Sequence, residues 1–163
     1  MKVYKIKEDY INFLRTKESK VLTNKNEKRP YIGVVYIINN LNYYIPLSSP
    51  KPKHKKMKNA KDFHKIKNGE YGAINFNKMI PVNKECIIEF DFKDEQDENY
   101  RNLLQNQYKA LISIENVIIR KSENLYRLFH TDDSELTKAD IAAKERCCNF
   151  DLLEEMCKAY IEK

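Results

Sequence analysis

Tyr31-Ile32-Gly33-Val34-Val35-Tyr36-Ile37-Ile38-Asn39-Asn40-Leu41-Asn42-Tyr43-Tyr44-Ile45-Pro46-Leu47-Ser48-Ser49-Pro50-Lys51 is the stretch that decides the fold. Residues 31 to 38 are β-branched or aromatic except for Gly33, which reads as a strand. Asn39-Asn40 is a turn signal, since asparagine tolerates the left-handed backbone of tight hairpins. Tyr43 to Leu47 is the predicted return strand. The hairpin then delivers the chain directly to Ser48-Ser49 and to a run of lysines.

Working outward, Val3 to Ile6 alternates as a short strand. Tyr10, Ile11 and Leu14 share one face of a predicted helix over Glu8 to Leu14. Residues 15 to 28 are polar and read as a loop. Beyond the hairpin, the lysine-rich segment runs from Lys51 to Lys67, and Asn68-Gly69 ends it. Tyr71 to Phe76, Met79 to Val82 and Cys86 to Phe92 read as further strands. The acidic stretch Asp94 to Glu98 opens a long helix, placing negative charge where the helix dipole favours it. Leu104, Tyr108, Leu111, Ile114 and Ile118 form its apolar stripe, and Ser122 marks a restart. Thr137 to Asp140 is a capping-box variant, and Asn149 caps a last helix carrying Leu152, Leu153, Met156, Cys157, Tyr160 and Ile161. The expected architecture is a single α+β domain over residues 1 to 163, with about six strands in a mainly antiparallel twisted sheet and helices packed against it.

The chain carries a formal charge of +6, which favours a polyanionic partner such as nucleic acid. Eleven tyrosines and seven phenylalanines argue against disorder. No apolar run approaches the roughly 20 residues of a membrane span, and the N-terminus lacks the apolar block of a signal peptide, so a cytoplasmic protein is expected. The three glycines form neither a dinucleotide fingerprint nor a P-loop. Cys86, Cys147, Cys148 and Cys157 lack metal-ligand spacing, which predicts buried thiols, no metal site and no cofactor.

Chemistry concentrates after the hairpin. Lys51, Lys53, Lys55, Lys56, Lys58, Lys61, Lys65 and Lys67 are opposed in that segment only by Asp62. Eight positive charges there exceed the net charge of the whole chain, so the rest is slightly acidic. Such a segment grips a phosphate backbone by releasing counterions. In an extended chain Ser49 and Lys51 share a face, which suits stabilisation of charge forming on a phosphate. Neither a nucleophile elbow nor a Ser-x-x-Lys motif is present, so acylation chemistry is disfavoured. His54 and His64 flank the lysines as candidates for proton transfer or phosphate contact. Arg29 can pair with a phosphate, and Tyr31, Tyr36, Tyr43 and Tyr44 are divided between the core and base stacking. From the residues alone, a non-catalytic basic RNA-binding module stays open beside an RNA-cutting enzyme.

Four stretches together resemble a known family: Arg29-Pro30-Tyr31-Ile32-Gly33-Val34-Val35; Tyr44-Ile45-Pro46-Leu47-Ser48-Ser49-Pro50-Lys51; Ile74-Asn75-Phe76-Asn77-Lys78-Met79-Ile80-Pro81-Val82; and Cys148-Asn149-Phe150-Asp151-Leu152-Leu153-Glu154-Glu155. They resemble the endoribonuclease toxins of type III toxin–antitoxin systems (the ToxN/AbiQ family), in family order and across most of the chain. The resemblance implies a metal-independent toxin that cuts single-stranded RNA, including mRNA, to 2′,3′-cyclic phosphate and 5′-hydroxyl ends. It implies a strongly twisted antiparallel sheet partly surrounded by helices, similar to the Kid/MazF toxins. It implies processing of, and inhibition by, a repeat antitoxin RNA, often a pseudoknot, in a closed ring of three toxins with three RNAs. Carried over by position, Ser49 stands at the catalytic serine and Lys51 at a nearby lysine. Ser48 replaces a common threonine, and Arg29 falls near an important lysine. Lys53, His54, Lys55, Lys56, Lys58, His64 and Lys65 are the expected RNA contacts. Residues 135 to 146 look like added sequence.

Overall fold

The computed structural model describes residues 1–160. Its centre is the predicted hairpin, β2 (Tyr31–Ile38) and β3 (Leu41–Ser48), joined by two residues with Ile38 opposite Leu41. Asn39 and Asn40 both take left-handed backbone, with φ of 51° and 62°, as a two-residue hairpin requires. A register shift between Ile32 and Tyr36 marks a bulge in the ladder.

β1 (Lys2–Ile6) pairs with β2 on one side and with β7 (Ile87–Glu89) on the other. β3 pairs at its far end with β5 (Ala73–Ile74), which pairs with β4 (His64–Lys65); β6 (Ile80–Pro81) joins β3 nearer the turn. Every pairing among the described residues is antiparallel, in the order β4-β5-β3-β2-β1-β7. The α+β expectation holds, with seven strands where about six were expected.

Helices cover the sheet: α1 (Glu8–Arg15), the short α2 (Pro52–Lys56), α3 (Glu98–Ser113), α4 (Glu115–Phe129), α5 (Lys138–Arg146) and α6 (Phe150–Ala159). Two caps are where the sequence placed them: Asn149 accepts from the Leu152 N–H and Thr137 from the Asp140 N–H. Within the acidic stretch that opens α3, Asp97 accepts from the Tyr100 N–H. Ile161, assigned to the last helix by its apolar spacing, lies outside the described residues.

Several expected elements differ. The apolar stripe from Leu104 to Ile118 is continuous, but the helix breaks at Ile114, whose φ and ψ are −121° and 21°. Ser122 is no restart; its hydroxyl donates to the Ile118 carbonyl inside α4. The predicted strand over Tyr71 to Phe76 shortens to two residues, because Phe76–Lys78 turns as a 3-10 helix. The lysine-rich segment, to which no element was assigned, contains α2 and β4.

The core lies between the sheet and helices α4 and α6. Tyr10, Tyr31, Tyr43, Phe76 and Phe150 are buried in it. The Tyr43 and Tyr126 hydroxyls both donate to Glu154 Oε1 at 2.7 Å, satisfying a carboxylate that is itself buried. Tyr31, Tyr43 and Tyr44 are therefore core residues, and Tyr36 packs half-buried on Tyr126. Of the four tyrosines divided between core and base stacking, burial places Tyr31, Tyr43 and Tyr44 in the core, and Tyr36 is half-buried. All four cysteines are buried without disulfides, and burial pushes the Cys147 and Cys148 thiols up to about 12.

Candidate functional site

β3 ends at Ser48, where pairing with Ala73 of β5 stops. The close approach of the chain behind this end depends on Gly72. Its φ is +97°, and a Cβ there would stand 1.9 Å from the Ser48 carbonyl oxygen. Successive residues of a strand face opposite ways, so Ser48 and Ser49 open onto different clefts.

The Ser49 side is a cleft of about 190 Å³ lined by Lys25, Lys28, Arg29, Pro30, Leu47, Ser49 and Tyr100. Three cations and no carboxylate line it. Ser49 is exposed. The Lys25 ammonium is depressed below the ordinary lysine value by burial and by the facing charges of Arg29 and Lys51. Lys25, Asn26 and Glu27 are three consecutive non-glycine residues with left-handed backbone. The loop they form is clamped: the Glu8 N–H donates to Glu27 Oε1 at 3.0 Å, and the Glu27 N–H to Glu8 Oε2 at 3.1 Å. Lys25, Lys28 and Tyr100 escaped the reading of the sequence because they come from a polar loop and a distant helix. Only the three-dimensional convergence reveals them.

Arg29 is only 8% exposed and requires a correction. Its Nε donates to the Thr23 carbonyl at 2.7 Å and its Nη1 to the Leu47 carbonyl at 3.2 Å. Burial leaves it a brace that fixes the strand end just before the serines, contributing charge to the cleft floor, rather than an open phosphate ligand.

The Ser48 side is a cleft of about 380 Å³, lined in part by Ser48, Lys51, Lys53, His54, Lys58 and Arg146. Asn75 Nδ2 donates to Ser48 Oγ at 2.7 Å. His54 was expected to touch RNA; the structure leaves it 3% exposed. Its Nδ1 accepts the Lys51 N–H at 3.2 Å, so the neutral ring carries its proton on Nε2. Burial, then the charges of Lys53 and Lys51, lower its pKa. His54 thus locks Lys51 to α2. Gly69 permits this packing, since a Cβ there would meet the His54 backbone carbon at 2.8 Å.

The lysine segment is not one continuous groove. Lys51, Lys53 and Lys58 line the Ser48 cleft. Lys55 and Lys56 are exposed but line neither cleft. Lys61 pairs with Asp140 at 2.6 Å, and Lys67 with Glu70 at 3.5 Å. The Lys65 N–H is held by Asn59 Oδ1 at 2.8 Å. His64 lies 3.3 Å from the Lys121 ammonium and lines neither serine cleft; burial and Lys121 lower its pKa. His130 pairs with Asp151 at 2.6 Å.

Against this geometry, residues 2–158 match the family model described as Toxin ToxN, type III toxin-antitoxin system. The chain belongs to the ToxN family. It is 34% identical to Endoribonuclease ToxN of Bacillus thuringiensis subsp. kurstaki, covering 99% of this chain and 85% of that protein. It is 30% identical to Endoribonuclease AbiQ of Lactococcus lactis subsp. lactis, covering 100% of this chain and 91% of that one. Among solved structures, one from a study of selective toxin inhibition by a non-coding RNA pseudoknot superposes with a TM-score of 0.85 at 31% identity, covering 99% of this chain and 98% of that one. Both clefts are basic: exposed Ser49 stands in the smaller one, and half-buried Ser48 lines the larger one with Lys51. No helix among the described residues is long and apolar enough to cross a membrane, and none of their His, Cys, Asp and Glu side chains group to hold a metal ion.

Proposed function

We propose that this endoribonuclease toxin cuts single-stranded RNA at the end of β3, with the scissile phosphate between Ser49 and Lys51. The observation that carries this reading is the carboxylate-free cleft in which exposed Ser49 stands among Lys25, Lys28 and Arg29. The ribose 2′-oxygen, giving up its proton to solvent water, attacks phosphorus as the bond to the 5′-oxygen breaks, leaving a 2′,3′-cyclic phosphate and a 5′-hydroxyl. Lys51 and the Ser49 hydroxyl stabilise the negative charge that builds on the phosphoryl oxygens. Lys25 protonates the departing 5′-oxygen, because an ammonium with a lowered pKa transfers its proton more readily. His54 is not the base: the nitrogen that would take a proton already accepts the Lys51 N–H. Lys53 and Lys58 grip the backbone on the Ser48 side.

No step in this scheme is assigned to a metal. The natural regulator is a folded antitoxin RNA, pseudoknotted as in the solved relative, closing three toxins and three RNAs into a ring in the cytoplasm. The test is incubation of the purified protein with single-stranded RNA in EDTA, followed by end-group analysis. Cyclic phosphate and 5′-hydroxyl ends are expected. Salt-sensitive binding without products would instead support the non-catalytic RNA-binding module.

A further inference from the structure

Arg146 is the last residue of α5, and its guanidinium forms a wall of the Ser48 cleft, which Lys51 and His54 also line. It is built differently from the surface lysines. Nε donates to Asp62 Oδ2 at 2.7 Å and an Nη2 proton to Asp62 Oδ1 at 3.0 Å, a two-pronged pair that fixes the plane of the group. Asp62 is 2% exposed and also accepts from Asn77 Nδ2 at 2.9 Å. The end of α5 is pinned as well. The Lys20 ammonium donates to the Glu145 and Cys147 carbonyls at 2.7 and 3.1 Å, and the Lys78 ammonium to the Arg146 carbonyl at 2.8 Å. Yet the Arg146 side chain remains 51% exposed. A guanidinium held on its inner edge by a buried carboxylate still presents Nη donors outward, preset in direction.

We propose that Arg146 binds a phosphate of the RNA next to the scissile one, and that Asp62 acts as a positioning residue by holding that guanidinium in place. This deepens the reading of the Ser49 site and rests on it. A substrate strand passing Ser49 and Lys51 enters the Ser48 cleft, where its neighbouring phosphate meets Arg146. A lysine at position 146 cannot span Asp62 and a phosphate together, because it lacks the planar fork.

The experiment uses the full chain and a single-stranded RNA oligonucleotide whose cleavage position has first been mapped with the wild type. Single neutral methylphosphonates replace each phosphate within three positions of the cut. In the wild type, one flanking replacement lowers kcat/KM about tenfold or more, the loss expected for one charge-assisted contact. In Arg146→Ala the unmodified RNA is cut slower by a similar factor, and the same replacement costs nothing further. Arg146→Lys restores little, and the salt slope of RNA binding drops by about 0.7 in Arg146→Ala. Since Arg146→Ala leaves Asp62 without its cation, the double variant Arg146→Ala, Asp62→Asn keeps that buried site uncharged; it shows the same lost response. Wild-type cutting by Arg146→Ala, or an undiminished methylphosphonate penalty in either variant, overturns the proposal. The two readings fail separately: full cutting by Ser49→Ala overturns the chemistry at Ser49, whereas an unchanged methylphosphonate profile overturns the role of Arg146.

Discussion

The two clefts at the end of β3 share a strand and differ in what surrounds it. On the Ser49 side, Lys25, Lys28 and Arg29 crowd together with no carboxylate among the lining residues. Lysine protonation is weakened there. On the Ser48 side, the serine hydroxyl already accepts from Asn75, and the buried Asp62 carboxylate neutralises Arg146. Uncompensated charge stabilises a transition state that is more anionic than its ground state, whereas satisfied and braced groups bind and orient. Chemistry therefore centres on the first cleft, with Lys51 acting on it from the lining of the second, and grip belongs to the rest of the second.

Losing Lys51 should break this division most visibly after Ser49 itself. Lys51→Ala is expected to reduce kcat by about 100- to 1000-fold, the usual cost of one charge-stabilising donor, with RNA binding weakened far less. A loss confined to KM, measured in steady-state cleavage assays, would move Lys51 from the chemistry to the grip.

The role of Lys25 is sharpened by changing the leaving group. Lys25→Met should slow cleavage of ordinary RNA by about 100-fold, the low end of general acid catalysis. An RNA with sulfur in place of the bridging 5′-oxygen needs no proton on departure, so the variant should cut it at close to the wild-type rate. An equal deficit on both substrates would remove Lys25 from proton transfer.

Gly72→Ala probes the scaffold common to both clefts. Its Cβ would collide with the Ser48 carbonyl, and its left-handed backbone is strained for alanine. We expect destabilisation of about 1–3 kcal/mol by denaturant unfolding, together with loss of activity in the fraction that folds. Wild-type stability would show that the strand end tolerates displacement.

The smallest effect concerns pH. Burial lowers the pKa of both His54 and His64 in the folded chain. Below the ordinary histidine value of 6.5 the unfolded chain binds protons that the folded chain does not. Stability is thus fully present above that value and declines as pH falls through the window beneath it. Thermal melts from pH 7.5 to 5.5 should fall more steeply for the wild type than for a His54→Asn, His64→Asn double variant. Parallel curves would contradict the burial of these rings.

Much of the fold is legible in residues that act locally. Asn39-Asn40 specifies the hairpin, and Asn149, Thr137 and Asp97 start helices by accepting backbone N–H groups a turn ahead. The break at Ile114 is not legible, because the apolar stripe runs through it without interruption. The short strand β4 is also set by tertiary pairing, which a two-residue pattern cannot announce, whereas β5 and β6 fall inside the stretches 71 to 76 and 79 to 82 read as strands. In the site, Ser49 and Lys51 stand out through spacing two apart on an extended chain, but the face they were expected to share is not kept: they line different clefts. The actual environments of Arg29 and His54 do not: a buried brace and an exposed ligand have the same sequence signature. Lys25 and Arg146 lie 24 and 97 residues from Ser49 in the chain, so only folding brings them to its strand end.

The central claim is tested most directly by comparing the adjacent serines. Initial cleavage rates of a mapped single-stranded RNA, measured for Ser49→Ala and Ser48→Ala at equal folded concentration, decide which cleft carries the chemistry. Ser49→Ala should fall about 100- to 1000-fold while still binding RNA, and Ser48→Ala should stay within about tenfold of the wild type. The reverse order, or wild-type cleavage by Ser49→Ala, would contradict the account.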